Sequence, residues 1–432
     1  MHDRTQTRRE FLANSGLAFA CVPHLPIGKI AAWSDGKLGS SGWSHDDWVN
    51  RVREEIPSLS KSIYLQTGGV GPSPGAVIEE VKSLLDFQNQ GPADPRFSGP
   101  MGRIEPELRA HLGRSFVADT EEVALTHSTS EGINIVVWSL NWSSGDEVII
   151  SNQEHPSNVI PWYVMRDRFG VVIRTINFDV GTSLLDEVRQ KLNSRTRMVS
   201  ISHVSRNNGR RVRTDESAEL AELLRRRGIR YHLDGAQGPG CVGVNFHALG
   251  CDCYSTCGHK WLLGPKGTGA LFVRRDELDR VLLSWTGAHS HETMDYEGAY
   301  RLLPAAARYE FGTRALADFA GFDRAVSWFD EVGWENVYER VDALVEHAIR
   351  RTKSASGFSI ASPEDSQDRS GVFVVRLPKG YDSQMVYERL RSDKRILASP
   401  VRRERDLRLS IHFFNTRDEI DTAIDVLTEI CQ

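Results

Sequence analysis

The feature that most restricts the fold is an alternation of strand-like and helix-like segments through the middle of the chain. Short apolar runs at 122–126, 147–151, 198–203 and 229–234 have the length and composition of buried strands. The segment 214–228 instead places its leucines on one helical face and ends at a glycine. Strands that alternate with helices pack as a mostly parallel sheet covered by helices on both faces. We therefore predict an α/β fold.

The length of the chain, 432 residues, predicts more than one domain. Beyond residue 315 the pattern changes to a long helix over 318–354, and then to strands and helices on a smaller scale. We expect a large domain over 36–315, which includes an N-terminal segment, and a smaller C-terminal α/β domain over 316–432.

The first residues resemble an address for export. Thr7-Arg-Arg-Glu-Phe-Leu12 has the form of a twin-arginine signal, and a mildly apolar stretch follows at 16–22. We expect residues 1–35 to be such a signal or leader and the protein to be exported or periplasmic; a cytoplasmic protein with a leader is the alternative. No apolar run reaches the roughly 18 residues that a membrane-spanning helix needs.

Composition and charge are those of an ordinary globular protein. The chain is 40% hydrophobic and 26% charged, with a formal net charge of -5. Its basic runs are short and are flanked by acidic or apolar residues, so we expect no nucleic-acid partner.

Two motifs suggest chemistry that we do not expect. Cys251, Cys253 and Cys257 precede His259 and could bind a metal, but they lie on a strand-like segment where cysteine acts as a small hydrophobe. We therefore expect no metal site. The segment 238–243 matches G-x-G-x-x-G, yet its central proline stiffens the turn and no helix follows at once, so we do not predict a dinucleotide site.

Lys260 is the candidate reactive residue. It lies between a histidine and a tryptophan, in a glycine-rich stretch that leads into an apolar strand. In a tight pocket, desolvation and nearby cations lower the pKa of a lysine and make its amine a nucleophile or a base. The alternative is a solvated lysine on a loop.

Other candidate residues precede Lys260 at the predicted carboxyl ends of strands, where ligands of such sheets bind. Asp234 ends one strand, and His155 lies in the polar segment 154–158. The hydroxyl-rich turn 127–132 precedes a helix over 133–140; it is either a simple cap or a phosphate site. Pyridoxal 5'-phosphate needs this set: a lysine for its aldehyde, a carboxylate for its ring nitrogen, a cradle for its phosphate and a flat partner for its ring.

At these positions the sequence resembles the class V aminotransferase family of fold-type I pyridoxal phosphate enzymes, and within it the isopenicillin N epimerase-like branch. The matching segments are 128–134, 154–158, 202–205, 234–237, 258–265, 308–313 and 408–416. The resemblance implies an aspartate aminotransferase-like fold and pyridoxal phosphate as the cofactor.

The resemblance also implies a role for each ring-contacting residue. Lys260 would form the Schiff base and act as the base at the α-carbon. Asp234 would pair with the ring nitrogen, Gln237 would bond the ring hydroxyl, and His155 would stack on the ring and take part in catalysis.

Further residues would hold the phosphate and the substrate. Thr129, Ser130 and His259 would bind the phosphate, and Thr313 would reach it from a second subunit. The expected partner is therefore another copy of the chain, in a homodimer with a shared active site. Arg408 would grip the α-carboxylate of an amino-acid substrate.

The chain also departs from the family pattern. Cys257 stands where serine is frequent, and Arg206 replaces part of a shorter turn. The segment 396–401 has no cysteine where desulfurases carry a catalytic one, which disfavours a desulfurase. We expect an aminotransferase or epimerase acting at the α-carbon of an amino acid or of an amino-acid moiety in a secondary metabolite. The alternatives are a C–S or other β-lyase, and a non-catalytic binding protein on the same fold.

Overall fold

The computed structural model describes residues 45–432. The predicted export signal over 1–35 lies outside this range and stays a prediction. Among the residues that are described, no helix is both long and apolar enough to cross a membrane.

The helices and strands alternate along most of this range. The helices are α1 (His45–Glu54), α2 (Gly75–Asn89), α3 (Pro95–Met101), α4 (Ile104–Phe116), α5 (Thr129–Val137), α6 (Ile160–Phe169), α7 (Leu184–Lys191), α8 (Thr214–Arg225), α9 (Phe246–Leu249), α10 (Leu316–Val332), α11 (Trp334–Lys353), α12 (Ser383–Lys394) and α13 (Arg417–Ile430). The strands are β1 (Ile63–Tyr64), β2 (Val123–Thr126), β3 (Glu147–Ser151), β4 (Val172–Ile176), β5 (Thr196–Ser202), β6 (Arg230–Asp234), β7 (Cys253–Cys257), β8 (Gly269–Val273), β9 (His291–Met294), β10 (Tyr300–Leu302), β11 (Ser359–Ile360), β12 (Val372–Arg376), β13 (Ile396–Leu397), β14 (Ser399–Pro400) and β15 (Asp406–Ser410).

A seven-stranded sheet forms the centre of the fold, in the order β2-β8-β7-β6-β5-β3-β4. Neighbouring strands are parallel except at β8, which is antiparallel to both β2 and β7. The predicted mostly parallel α/β sheet is confirmed. The register pairs Ser202 with Asp234 and Asp234 with Ser255, so β5, β6 and β7 end at the same edge.

Helices bury both faces of this sheet, because successive side chains of a strand point to opposite sides. On one face, Val199 and Ile201 of β5 belong to a core shared with Leu112 of α4. On the other face, Met198 of β5 packs in a separate core with Trp162 of α6.

A second, antiparallel sheet lies in the C-terminal part, in the order β11-β12-β15-β14. The chain near β1 joins this region, because β1 runs parallel to β13 and Gln66 forms a bridge with Ser410. The proposed division at residues 315 and 316 stays a prediction.

Two helix predictions are corrected by the structure. The single helix expected over 318–354 is wrong, because Gly333 adopts a φ of 89° and separates α10 from α11. Left-handed backbone is accessible to glycine but ends a right-handed helix. The helix expected to start at Ile133 begins earlier, at Thr129, since Ser128 accepts a hydrogen bond from the Glu131 N–H as its N-cap.

His111 joins α4 to α10 and makes stability depend on pH. Its two ring nitrogens each lie 2.7 Å from a carboxylate, those of Asp323 and Asp330. Although burial lowers the pKa of His111, the two hydrogen-bonded carboxylates outweigh burial and raise it to about 9. The imidazolium is thus favoured in the folded state.

We expect His111 to stabilise the fold fully below its unfolded pKa of about 6.5, and to lose this contribution as pH rises through about 9. The excess free energy of unfolding over His111→Gln should fall by about 1 to 2 kcal/mol between pH 6 and pH 9.5, after allowance for solvent screening of this partly exposed pair. Urea unfolding of both proteins at each pH measures it. A difference that does not change with pH would contradict this role.

Candidate active site

The turn that carries Lys260 follows β7 directly and is tightly closed. Gly264 N–H donates to the Gly258 carbonyl (2.8 Å), and Leu263 N–H donates to the Lys260 carbonyl (3.0 Å). Leu263 is fully buried with a left-handed φ of 55°, a conformation that costs a non-glycine residue roughly 1 to 2 kcal/mol. Burial of the leucine side chain offsets this strain, so the Lys260 backbone is held by the packing around it.

A glycine-rich loop after β1 lies against the same turn. Gly71 N–H donates to the His259 carbonyl (2.8 Å), and a Cβ on Gly71 would stand only 2.0 Å from the Lys260 carbonyl oxygen. A Cβ on Gly68 would lie 2.8 Å from Gln237 Oε1 and 3.5 Å from Arg408 Cζ. The loop therefore needs glycine in order to approach these side chains.

Asp234 lies at the carboxyl end of β6, as predicted. The residue is 3% exposed, and its carboxylate accepts a hydrogen bond from the Ala236 N–H (2.9 Å). Burial raises the pKa of Asp234, whereas the Ala236 hydrogen bond and the charge of Lys260 lower it. The structure thus brings the predicted carboxylate and the predicted lysine close enough for their charges to interact.

His155 lies within reach of the charge of Lys260 and has a neutral imidazole ring. Burial, together with the charges of Arg206, Lys260 and Arg408, lowers the pKa of His155 to about 4. Its Nδ1 accepts from the Ser157 N–H (3.1 Å) and lies 3.0 Å from Ser157 Oγ. An uncharged, oriented imidazole suits the predicted stacking on an aromatic ring.

Ser157 is a residue that the sequence analysis missed. Its hydroxyl is also 2.9 Å from Ser130 Oγ, so a chain of hydrogen bonds runs from α5 to the His155 ring. Ser130 was predicted to bind phosphate with Thr129. Its hydroxyl bonds Ser157, and its predicted phosphate contact stays a prediction.

Glu154 is a second residue missed by the sequence analysis. Its carboxylate accepts from Asn158 Nδ2 (2.7 Å), from the Ser202 N–H (2.9 Å) and from Ser202 Oγ (2.8 Å), and it also bonds Ser151. Burial raises the pKa of Glu154 to about 7. This network ties the end of β3 to the end of β5 and positions the neighbouring His155.

Gln237 lies in the site with its amide already oriented. Its Nε2 donates to the Gly68 carbonyl (2.9 Å), and its Oε1 accepts from Trp261 Nε1 (2.7 Å). One amide proton is left over from these bonds. The predicted contact with a ring hydroxyl stays a prediction. The orienting role of Trp261 was not predicted, because nothing in the local sequence connects it to Gln237.

Thr129 Oγ1 and His259 Nδ1 are buried and have no oxygen or nitrogen partner among the described residues. Burying such groups without a partner is costly. Burial, together with the charges of Lys260 and Lys266, lowers the pKa of His259 to about 4. Burial raises the pKa of the nearby Cys257 thiol, although Lys260 and the Thr129 hydroxyl oppose this. These polar groups near the start of α5 fit a bound phosphate.

Arg408 lies on β15 and is 2% exposed. Its Nη2 donates to Gln66 Oε1 (3.0 Å), and its buried Nε has no hydrogen-bond partner in the described range. Burial and the charge of Arg206 lower its pKa to about 9. A buried guanidinium bonded to a neutral amide fits the predicted grip on a substrate carboxylate.

Within the described range, Thr313 forms no hydrogen bond with the other predicted residues. It is exposed in the loop before α10. Its predicted contact with the phosphate requires a second subunit and stays a prediction. The segment 396–401 forms β13, β14 and their flanks and carries no cysteine.

Comparison with known proteins shows the family to which this chain belongs. The family model described as Aminotransferase class-V matches residues 63–422. The chain therefore belongs to the class V aminotransferase family, whose enzymes work with pyridoxal phosphate.

Similar proteins include enzymes of more than one reaction type. A probable cysteine desulfurase of Methanothermobacter thermautotrophicus is 28% identical over 88% of this chain and 97% of its own length. A cysteine desulfurase of Synechococcus elongatus is 30% identical over 88% of this chain and 63% of its own length. Isopenicillin N epimerase of Streptomyces clavuligerus is 28% identical over 84% and 94%, respectively.

Solved structures share the fold. A mutant of C-DES with glycine covalently linked to its PLP cofactor superposes with a TM-score of 0.82, at 24% identity, over 87% of this chain and 99% of that one. The cystine C–S lyase C-DES in complex with its product, cysteine persulfide, gives a TM-score of 0.81 at the same identity and coverage. The predicted fold of a pyridoxal phosphate transferase is confirmed.

Proposed function

We propose that the protein acts at the α-carbon of an amino acid, or of an amino-acid moiety in a larger metabolite, as an aminotransferase or an epimerase. The observation that carries the proposal is the meeting of Lys260, Asp234 and the neutral His155 at one edge of the sheet, with the buried Arg408 beside them. The relative named isopenicillin N epimerase supports the epimerase reading.

The residues present fit pyridoxal phosphate. Lys260 would hold its aldehyde carbon and Asp234 its ring nitrogen, while Thr129 Oγ1, His259 Nδ1 and the N–H groups of α5 would hold its phosphate. When bound, the cofactor supplies an electron sink that stabilises negative charge at the substrate α-carbon.

The side chains of the chain would then perform binding and proton transfer. Arg408 binds the α-carboxylate and so orients the Cα–H bond. Lys260 Nζ takes the α-proton as a general base and returns it. His155 would cover the face of the cofactor ring with its neutral, oriented imidazole. Protonation of the opposite face of the α-carbon by a donor other than Lys260 would give epimerisation, and delivery of the proton to the cofactor instead of the α-carbon would give transamination.

A C–S or other β-lyase is the second candidate, because it uses the same proton removal and then expels a group from the β-carbon. The relatives named cysteine desulfurase and the C–S lyase with a similar fold support it. The cysteine-free segment 396–401 favours, within this candidate, a lyase that needs no enzyme thiol at that position.

The products distinguish these reactions. Reconstituted protein should exchange the α-proton of a substrate amino acid for deuterium in D2O, as followed by NMR. Keto-acid formation with transfer of the amino group would identify an aminotransferase, inversion at the α-carbon an epimerase, and release of a β-substituent with pyruvate and ammonia a lyase. A protein that takes up no cofactor and exchanges no α-proton would instead support the non-catalytic binding protein.

We also propose export by the twin-arginine route and a homodimer. The twin-arginine pattern at residues 7–12 supports export, and the exposed Thr313 supports a second subunit at the site. The N-terminal residue of the mature protein tests the first proposal. Its mass in solution tests the second.

A further inference from the structure

The loop that follows β5 is rigidly built. Ser205 Oγ accepts hydrogen bonds from the N–H groups of Asn207 and Asn208 (3.2 Å each), and Gly209 N–H donates to the Ser205 carbonyl (2.9 Å). Gly209 has a φ of 74°, and a Cβ there would stand 1.8 Å from the Val372 carbonyl oxygen. The loop is thus closed on itself and packed against the C-terminal sheet.

Most polar side chains of this loop form hydrogen bonds with the surrounding protein. Asn207 Nδ2 donates to the Gln153 carbonyl (3.0 Å), and Asn208 Nδ2 donates to the Phe178 carbonyl (3.3 Å). The Arg210 guanidinium lies 4.2 Å from the centre of the Phe178 ring and bonds the chain beyond it. Each of these interactions fixes the loop without using Arg206.

Arg206 differs from these neighbours. Within the described residues its guanidinium makes no hydrogen bond and no ion pair, although the residue is half-buried and burial lowers its pKa. Its charge acts on two residues of the site, His155 and Arg408. The loop leaves the carboxyl end of β5 beside Asp234 and is bonded to Gln153. It therefore holds a free guanidinium close enough to His155 and Arg408 for its charge to act on both.

The charges on this side are not balanced by the protein. Neither Arg206 nor Arg408 has a carboxylate within ion-pair distance in the range that the structure describes. The carboxylate of Asp234 acts on Lys260, and that of Glu154 is surrounded by its own hydrogen-bond donors. Two neighbouring guanidinium groups repel each other and lose hydration on burial, and an anionic ligand offsets both effects. The α-carboxylate of a substrate supplies one negative charge against these two guanidinium groups. A second negative charge on the substrate would balance the other.

We propose that Arg206 binds a second anionic group of the substrate, so that the enzyme selects amino acids or amino-acid moieties with a side-chain carboxylate in addition to the α-carboxylate held by Arg408. This inference rests on the proposed function and deepens it by naming a substrate class. Arg206 is thereby a specificity-determining residue, carried by a fixed loop at the carboxyl end of β5.

The test compares acids with their amides of nearly equal shape. Holoenzyme is titrated with L-glutamate, L-glutamine, L-aspartate and L-asparagine, and binding is followed by the change in cofactor absorbance. For at least one pair, the acid should bind about 10- to 100-fold more tightly than the amide, as one charge-assisted pair contributes. Arg206→Gln should abolish this preference, and Arg206→Lys should keep part of it.

Arg213→Gln is the matched control, because Arg213 lies nearby in the chain, carries the same charge and is paired with Asp215 and Asp368 instead. It should preserve the preference. Equal affinity for acid and amide in the wild type, or no detectable binding of either acid, would overturn the inference. So would loss of cofactor from Arg206→Gln, since Arg206 would then hold the cofactor. Wild-type protein that never acquires cofactor absorbance refutes the proposed function itself, and with it this inference.

Discussion

Replacing Lys260 with alanine should lower the rate of α-proton exchange by at least about 1000-fold and should remove the absorbance band of the lysine-bound cofactor. The amine is both the attachment point and the base in the proposed reaction, so one substitution removes two functions. His155 cannot replace it as a well-matched base, because burial and the surrounding cations lower the pKa of His155 to about 4.

The fold should survive this substitution. The Lys260 turn is closed by backbone hydrogen bonds and by the buried Leu263, and neither depends on the lysine side chain. Thermal unfolding checks this point. Lys353→Ala is the matched control, since Lys353 is exposed on α11 and pairs with Glu364, and it should leave both exchange and absorbance unchanged. Added methylamine should restore part of the exchange in Lys260→Ala. Near-normal exchange without any amine would show that another group is the base.

The alternation of strands and helices could be predicted because each element leaves a local pattern. A buried strand is a short apolar run, and a surface helix repeats with a period of 3.6 residues. The direction of β8 has no such pattern, since an apolar run reads the same in parallel and antiparallel pairing. The break between α10 and α11 depends on the backbone of Gly333, which adopts a φ of 89°, and a single glycine in an apolar helical pattern does not by itself predict such a break.

In the candidate site, too, some features could be predicted from the sequence and others could not. Lys260, Asp234 and His155 could be found because ends of parallel strands meet at one edge and their residue types suit one cofactor. The groups that orient these residues could not be found from the sequence. Arg408 meets Gln66 across 342 residues of sequence.

Arg206 illustrates this limit most clearly. Its sequence position is compatible with either a solvent-exposed arginine or one in the pocket. Its free guanidinium becomes informative only when the bonds of Asn207, Asn208 and Arg210 are known. A residue that lacks partners is recognised by how fully its neighbours are bonded, and that is a property of the folded chain.

Asp234→Asn should lower α-proton exchange by about 100- to 1000-fold while the protein keeps its cofactor, because the substitution removes a charge from the site but little volume. Asparagine still offers an oxygen to the Ala236 N–H, so the end of β6 should keep its conformation. What is lost is the carboxylate that would keep the ring nitrogen protonated, and with it the stabilisation of charge at the α-carbon.

A matched control for this charge loss exists at the opposite edge of the sheet. Asp252 is also buried, precedes β7 and accepts a hydrogen bond from the Tyr231 N–H (2.8 Å). Asp252→Asn therefore removes a buried carboxylate of the same kind away from Lys260, and exchange should stay close to that of the wild type. If both variants slowed exchange equally, the effect would come from loss of a buried charge in the sheet. If Asp234→Asn exchanged normally, Asp234 would not be the ring-nitrogen partner, and the electron sink would need another source of protonation.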